Sequence, residues 1–395
     1  MNYSTQILKL EPASVMKPWG LLHSEALALT GIQVGIGEFW LASAQTGEGN
    51  YSNVITEPDV GITLAELLNQ AQDGGEDYLE KLVGWRAREA VAEAHRGKTE
   101  AWRVRAADGI AGLVSGPSTE EQKNQLKGWI EDGTLTPDVQ NWPDHVKRAL
   151  GVIESLSPGD VFKVPCGTLH TMYAVGDDSR LVIDELQQGY GETLLPTLSK
   201  ILMVQDSVLS VQVHPCDDFV AASATGEVDV AQDLQLNPTI RIYDFGRGRD
   251  EDPELGFHLT DLKAGLRRVP TVQVEPEEGV TVTMLVADEE FLKTQVDLQA
   301  GAEWAYEPTS GSFQVIHCTE GHIALKGGEA EVCLSPGETA FVPAILEEDL
   351  RLLADETSRV LADSYSDLDK VKEFLGEQGV QGEKIQAFVN PPGSA

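Results

Sequence analysis

Basic residues are scarce in this 395-residue chain: 29 Lys and Arg stand against 64 Asp and Glu, a formal net charge of −35. A surface that acidic repels phosphate backbones and anionic lipid headgroups, so no nucleic-acid or membrane partner is expected. Cysteine is also rare, with only Cys166, Cys216, Cys318 and Cys333 and no closely spaced pair among them. In a chain of this length that spacing gives no disulfide framework, and a reduced, cytoplasmic setting is expected. No apolar run approaches the ~20 residues of a membrane-spanning helix. The opening MNYSTQILKLEPASVMKPWG has neither a basic start nor an apolar core of signal-peptide length. A soluble, unexported protein is the expectation. Apolar residues, by contrast, are not in short supply. Hydrophobic residues at 41% and charged residues at 24% are ordinary globular values, so the acidity decorates a folded surface. The length suits one large domain or two ordinary ones with real cores.

Short apolar segments punctuated by glycine predict strands over residues 31–40 and 41–55. From Thr63 the period changes. Leu64, Leu67 and Leu68, then Leu79, Leu82, Val83, Ala87 and Val91, recur at helical spacing and predict two amphipathic helices within 63–95, before a break at Gly97. Strands return at 99–104 and 111–115. Ser118 with Glu121 is a capping-box pattern that opens a helical insertion over 118–150. Alternating β-branched residues then predict strands through 152–186 and 207–214, and 266–365 carries no long helical pattern. Ser366 with Asp369 opens a short C-terminal helix, and the tail PPGSA is expected to be disordered.

An internal repeat organises these elements. LSPGDVFKVPCGTLH at 156–170 matches LSPGETAFVPAILEE at 334–348, an offset of 178, through a Ser-Pro-Gly-acid turn, a strand and a closing Val-Pro. Two strand-turn-strand copies suggest two related jelly-roll β-barrel domains, 1–265 and 266–365, followed by the helix and tail of 366–395. The expected fold is therefore mainly β with a helical insertion in the first domain. His170 of the first copy aligns with Glu348 of the second, so only the first copy retains chemistry.

Strand alternation singles out the candidate residues. In LSVQVHPCDD, Ser210, Gln212 and His214 share one face, and an amide and an imidazole two residues apart can hold a metal ion or form the polar side of an edge strand. In HRGKTEAW, Lys98 and Glu100 share a face; the glutamate can supply an oxygen ligand and the lysine an anion contact, or both can simply face solvent. In PCGTLH a strand ends, turns through Gly167 and presents His170. In LVIDELQQ, Glu185 falls on an apolar face, where a carboxylate is costly unless paired. In IRIYDFGR either Arg241 or Arg247 can serve an anion or pair with acidic neighbours.

Taken together these segments resemble the type I phosphomannose isomerases of the cupin superfamily over about residues 17–260. The resemblance adds Trp19-Gly20, the Gly37-Glu38-x-Trp40 strand, Ser-Asn-Val-Ile at 52–55 and Gly-x-Thr-Leu at 61–64 to the motifs above. It implies a cupin fold and one zinc ion per catalytic domain, bound by Gln212, His214, Glu100 and His170. It implies catalytic roles for Lys98, Glu185 and Arg241, and substrate binding by Lys200 and Ser210. The expected activity is zinc-dependent aldose–ketose isomerisation of mannose 6-phosphate and fructose 6-phosphate through an enediol. A cupin isomerase for another sugar phosphate, or a non-catalytic metal-binding sugar-phosphate sensor, are the alternatives. Oligomeric state is not legible.

The family carries Gln-Val-His-Pro before Gly-Lys-Thr-Glu, whereas here residues 192–218 follow both the Gly-Thr-x-His and Glu-x-Gln-Gln motifs. Cys166 and Cys216 stand beside the proposed ligands and are read as small space-filling residues, in preference to a fifth ligand or a redox-sensitive neighbour. His317 and His322 in HCTEGH are read as structural. A site that gathers Lys98, Lys200 and Arg241 in so acidic a chain predicts one electropositive pocket.

Overall fold

The alternating segments pair as antiparallel sheets in a computed structural model that describes residues 3–17, 19–22, 35–44, 51–56, 61–84, 98–188, 197–216, 239–289, 291–306 and 311–391. Residues 31–34 of the expected strand 31–40, residues 45–50 of the expected strand 41–55, the helix continuation past 84 with its Gly97 break, and the tail 392–395 lie outside these residues. The fold is mainly β. In the N-terminal part, a ten-stranded sheet runs in the order Arg267–Arg268, Val161–Val164, Glu100–Val114, Thr171–Gln188, Thr197–Gln205, Gly35–Ala42 and Ala13–Lys17, with short strands attached to its flanks. A two-stranded ribbon, Val211–Val213 with Ile240–Tyr243, accompanies it. The C-terminal part combines an eight-stranded and a four-stranded sheet. N-terminal residues complete the larger of these, because Leu8–Glu11 pairs with Thr339–Val342 and in turn with Asn53–Val54.

The repeat reappears as matching turns. Ser157 N–H donates to Asp160 Oδ2 at 2.8 Å, and Ser335 N–H donates to Glu338 Oε2 at 2.7 Å. Gly159 and Gly337 hold φ near +92° and +89°, the left-handed region in which a side chain is strained. Strands Val161–Val164 and Thr339–Val342 follow at the same offset.

The two strands expected at 99–104 and 111–115 are one, Glu100–Val114, which pairs with Thr171–Gln188 along its length. Register shifts between Val104 and Ala106 and between Asp108 and Ile110 absorb the extra residues. The exposed, glycine-bearing middle breaks the apolar alternation that sequence reading relies on, while the long partner keeps the backbone paired.

Helix Leu64–Asp73 opens on a complete capping box, with Thr63 accepting from Glu66 N–H and Glu66 accepting from Thr63 N–H. The insertion helix, Glu120–Glu131, is capped by Thr119 and not by Ser118. Ser118 instead donates its N–H and hydroxyl to Gln122 Oε1. Leu126, Leu135, Val139, Trp142, Val146 and Leu150 of this insertion share a core with Val211, Val213, Ile240 and Ile242, so the helices back the ribbon that carries Gln212. Asp367 caps the C-terminal helix Leu368–Glu377. A second helix, Gly382–Val389, follows and packs Ile385, Phe388 and Val389 into the same core.

Buried ions join the two parts. Asp184 meets Arg103 at 2.9 Å and Arg105 at 2.6 Å, and Arg103 also donates to Gln295 Oε1 at 2.8 Å. Lys293 meets Asp363 at 2.6 Å, and Ser199 Oγ donates to the same carboxylate at 2.5 Å. Successive residues on a strand face opposite ways, so Asp184 serves this junction while Glu185 faces the other side.

Candidate active site

Three chain segments meet, two of them from opposite ends of the ladder between Glu100–Val114 and Thr171–Gln188. Glu100 starts its strand, His170 precedes Thr171–Gln188, and Gln212 lies on the ribbon. An antiparallel bridge joins His170 to Gln212 through reciprocal backbone hydrogen bonds of 2.9 and 3.0 Å. The strand Thr197–Gln205 is inserted between Thr171–Gln188 and Gly35–Ala42. The rearranged motif order therefore still converges on one site.

Glu100, His170 and His214 are buried, and their ligand atoms lie within 4.8 Å of one another. His214 Nε2 is 3.2 Å from Glu100 Oε1, and His170 Nε2 is 3.8 Å from Glu100 Oε2. His170 Nδ1–H donates to the Thr168 carbonyl at 2.9 Å, and His214 Nδ1 meets Thr239 Oγ1 at 3.4 Å. Each ring thus turns Nε2 inward, in the arrangement in which an outer partner sets the tautomer of a metal-binding histidine. Burial lowers the pKa of both imidazoles, that of His214 to about 3 with Lys98 adding to the effect, so both stay neutral. Burial would raise the pKa of Glu100, but the Lys98 ammonium overcomes it and holds the carboxyl well below its usual range. Its Oε2 is buried without a hydrogen bond among the described residues. A carboxylate oxygen and two imidazole nitrogens converging in this way fit a divalent metal such as zinc. Gln212 presents Nε2 to His170 Nε2 at 3.3 Å while its Oε1 accepts from Ser210 Oγ at 3.2 Å, so half a turn of the amide would offer oxygen as a fourth ligand.

Lysine and carboxylate alternate away from this cluster. Lys98 Nζ is in contact with Glu100 Oε1, is 3.4 Å from His214 Nε2, and is 3.8 Å from Glu185 Oε1. Lys200 Nζ is 3.1 Å from Glu185 Oε1 and 4.7 Å from the Trp40 ring centre. Burial, and then the charge of Glu100, push the Glu185 carboxyl up to about 7 against the pull of the two lysines. All nine residues singled out from the sequence except His214 line one pocket, and His214 lies directly behind it in contact with Glu100.

The outer wall adds residues that sequence reading missed as site residues. Glu38 is held by Lys17 at 3.3 Å and by Trp40 Nε1–H at 3.1 Å, and Lys17, Trp19 and Arg249 also line the pocket. Burial would raise the Glu38 pKa, but Lys200 and Lys17 lower it. The signal was present in the alternation, which puts Glu38 and Trp40 on one face. Arg249 stacks 4.8 Å from Trp19 and donates Nε–H to Asp244 Oδ2 at 2.9 Å. Of the two arginines that the strand pattern offered, it is Arg241, the one the resemblance implied, that lines the pocket. Arg247 donates to the Val208 carbonyl and to Asp244, whereas Arg241 lines the pocket with a buried Nε–H that has no acceptor among the described residues. Five basic side chains and three carboxylates line the pocket, which inverts the sign of the chain as a whole.

Two expectations change at the cysteines. Cys166 and Cys216 form a disulfide, with Cα atoms 5.1 Å apart, so they are neither separate space-filling thiols nor available as a fifth ligand. Fifty residues of sequence separation hide this pairing from any local pattern. Cys318 and Cys333 are free thiols. His317 is buried with Nδ1 3.0 Å from Thr339 Oγ1, and His322 is exposed beside Glu356. Among the described residues neither belongs to a group of metal-ligating side chains. No helix among the described residues is long and apolar enough to cross a membrane.

No family model matches the chain, and no curated protein matches its sequence. Solved structures do match in fold. The mannose 6-phosphate isomerase from Bacillus subtilis aligns with a TM-score of 0.54 and 18% identity, covering 91% of this chain and 99% of that one. A mutant of the phosphomannose isomerase from Salmonella typhimurium aligns with a TM-score of 0.49 and 13% identity over 92% and 100% of the two chains. A zinc-bound mannose 6-phosphate isomerase aligns with a TM-score of 0.49 and 12% identity over the same shares. At 18% identity, the first of these establishes a shared fold.

Proposed function

We propose that this chain is a zinc-dependent aldose–ketose isomerase that interconverts mannose 6-phosphate and fructose 6-phosphate, with the chemistry in a catalytic cupin domain of about residues 1–265. The observation that carries this reading is the convergence of Glu100, His170 and His214 next to Glu185, which is flanked by Lys98 and Lys200, in one pocket. A metal scaffold alone would not need two lysines and a second carboxylate. The fold shared with the Bacillus subtilis mannose 6-phosphate isomerase and the sequence motifs both support the choice of sugar phosphate.

Zinc bound by Glu100, His170, His214 and Gln212 would supply Lewis-acid polarisation of the sugar oxygens. The chain's own residues do the rest. Glu185, with a carboxyl pKa near 7, takes the proton from C2 of the aldose and returns it to C1 while the hydroxyl proton of O2 passes to O1, and the reverse reaction uses the same group. Lys98 and Lys200 offset charge developing on the oxygens at C1 and C2. Arg241, with its unengaged Nε–H, and Arg249 hold the phosphate. Ser210 orients Gln212, and Trp40 gives Lys200 a fixed aromatic face.

The test is to quantify bound zinc and to assay conversion of mannose 6-phosphate before chelation, after it, and after zinc is restored. Activity indifferent to chelation, or zinc-loaded protein with no turnover, overturns the reading. Activity on a different phosphorylated sugar alone would favour the related isomerase.

A further inference from the structure

Backbone contacts beyond the His170–Gln212 bridge also join the segments that bring the metal ligands together. Gly167 N–H donates to the His214 carbonyl at 2.7 Å, and Lys98 N–H donates to the Pro215 carbonyl at 3.3 Å. Cys166 N–H donates to Thr99 Oγ1 at 3.4 Å. His214 stands one residue beyond the end of strand Val211–Val213, where the ladder no longer fixes it. Gly167 has φ of +76°, and a Cβ there would come 3.0 Å from Asp261, so this turn depends on glycine. The Cys166–Cys216 bond closes the same end of the assembly. Cys166 is four residues before His170, and Cys216 is two residues after His214. It ties the two imidazole-bearing segments together covalently just outside the ligands.

We propose that Cys166 and Cys216 are positioning residues whose bond braces His170 and His214 in chelating geometry, making metal affinity dependent on the redox state of the pair. The proposal rests on the metal-centre reading above. Both cysteines are half-buried. A dithiol supplies two electrons and two protons: its thiolate attacks one sulfur, the Cys166–Cys216 bond breaks, both cysteines end as thiols, and the reductant ends as its own disulfide. The His214 segment then loses its covalent tie to the His170 segment, and the ligands lose preorganisation.

The full chain is loaded with zinc, and its affinity is measured by competition with a chromogenic chelator. The measurement is repeated after reduction with a dithiol, removal of the dithiol without oxygen, and reoxidation. Reduction is expected to weaken zinc binding roughly tenfold or more, reversibly and with an unchanged far-ultraviolet circular dichroism spectrum. The C166S/C216S variant should bind weakly under both conditions; if it does not fold, the reduction cycle on the natural chain decides alone. Equal affinity in both redox states overturns the proposal. So does tighter binding on reduction, with a sulfur-to-metal charge-transfer band in the cobalt-substituted protein, since a freed thiolate would then be a ligand. Failure of the oxidised protein to hold zinc at all identifies the metal-centre reading as the error, and the brace falls with it.

Discussion

Lys200 and Glu185 face each other across neighbouring antiparallel strands, with Nζ 3.1 Å from Oε1. Glu185 is also opposed by Glu100 and buried, and these effects outweigh the lysines to leave its carboxyl near 7. Its protonation state is therefore set by a balance that one substitution can tip.

If Glu185 is the base, kcat/KM rises with pH through its pKa, at or below about 7 because a bound cation favours the carboxylate. Lys200→Met removes a positive neighbour and moves this limb to higher pH. Glu185→Gln abolishes it and lowers kcat by about 10²–10⁴-fold. A pH–rate profile checks both, and a limb that survives Glu185→Gln assigns the base elsewhere.

His214→Ala removes one of three clustered donors and should release zinc and activity together, as metal analysis would read. In the natural protein, protonation of His214 should not displace zinc as pH falls from about 7.5 to about 6, since burial lowers its pKa to about 3.

Arg241→Met should keep its zinc and fall in kcat/KM by about 10- to 100-fold, the worth of one or two charge-assisted hydrogen bonds to phosphate. Inorganic phosphate should compete with substrate less well in this variant. Full activity would remove Arg241 from the site.

His317 is 2% exposed, and its pKa is lowered to about 4, chiefly by burial and then by Arg105. In the unfolded chain its pKa is near 6.5. The unfolded state therefore takes up the proton first as pH falls, so this contribution is complete above about 6.5 and is lost between there and about 4. The slope is at most ~1.4 kcal/mol per pH unit. Urea unfolding of the natural chain and His317→Gln across this window should show a shallower decline in the variant.

Lys293 and Asp363 are both buried, at 1% and 2% exposure, so removing one partner strands a charge. Lys293→Met is expected to cost about 3–5 kcal/mol, and a Lys293→Met/Asp363→Leu double variant less. Denaturant unfolding checks the order, and an additive double variant would rule out the pairing as the source.

Much of this was legible locally. Alternation put Lys98 with Glu100, and Ser210 with Gln212, on shared faces, and all four line the pocket, whereas His214 stands beyond the end of its strand and lies behind the pocket. The repeat located two equivalent turns, since Ser-Pro-Gly followed by an acidic residue carries its own hydrogen bonds. The continuous strand Glu100–Val114 was not legible, because pairing with a long neighbour overrode a break in the pattern. The last helix was missed because eight residues hold too little periodicity until they pack on Val371 and Phe374.

The sequence by itself determined the donor types, the face each donor takes on its strand, and an excess of negative charge that the pocket must overcome. Only the tertiary structure decided that Glu38 joins the pocket wall and that Cys166 bonds to Cys216. The physical reason is one of range: side-chain direction follows from backbone geometry within a few residues, whereas partners fifty residues apart are chosen by how the sheets close.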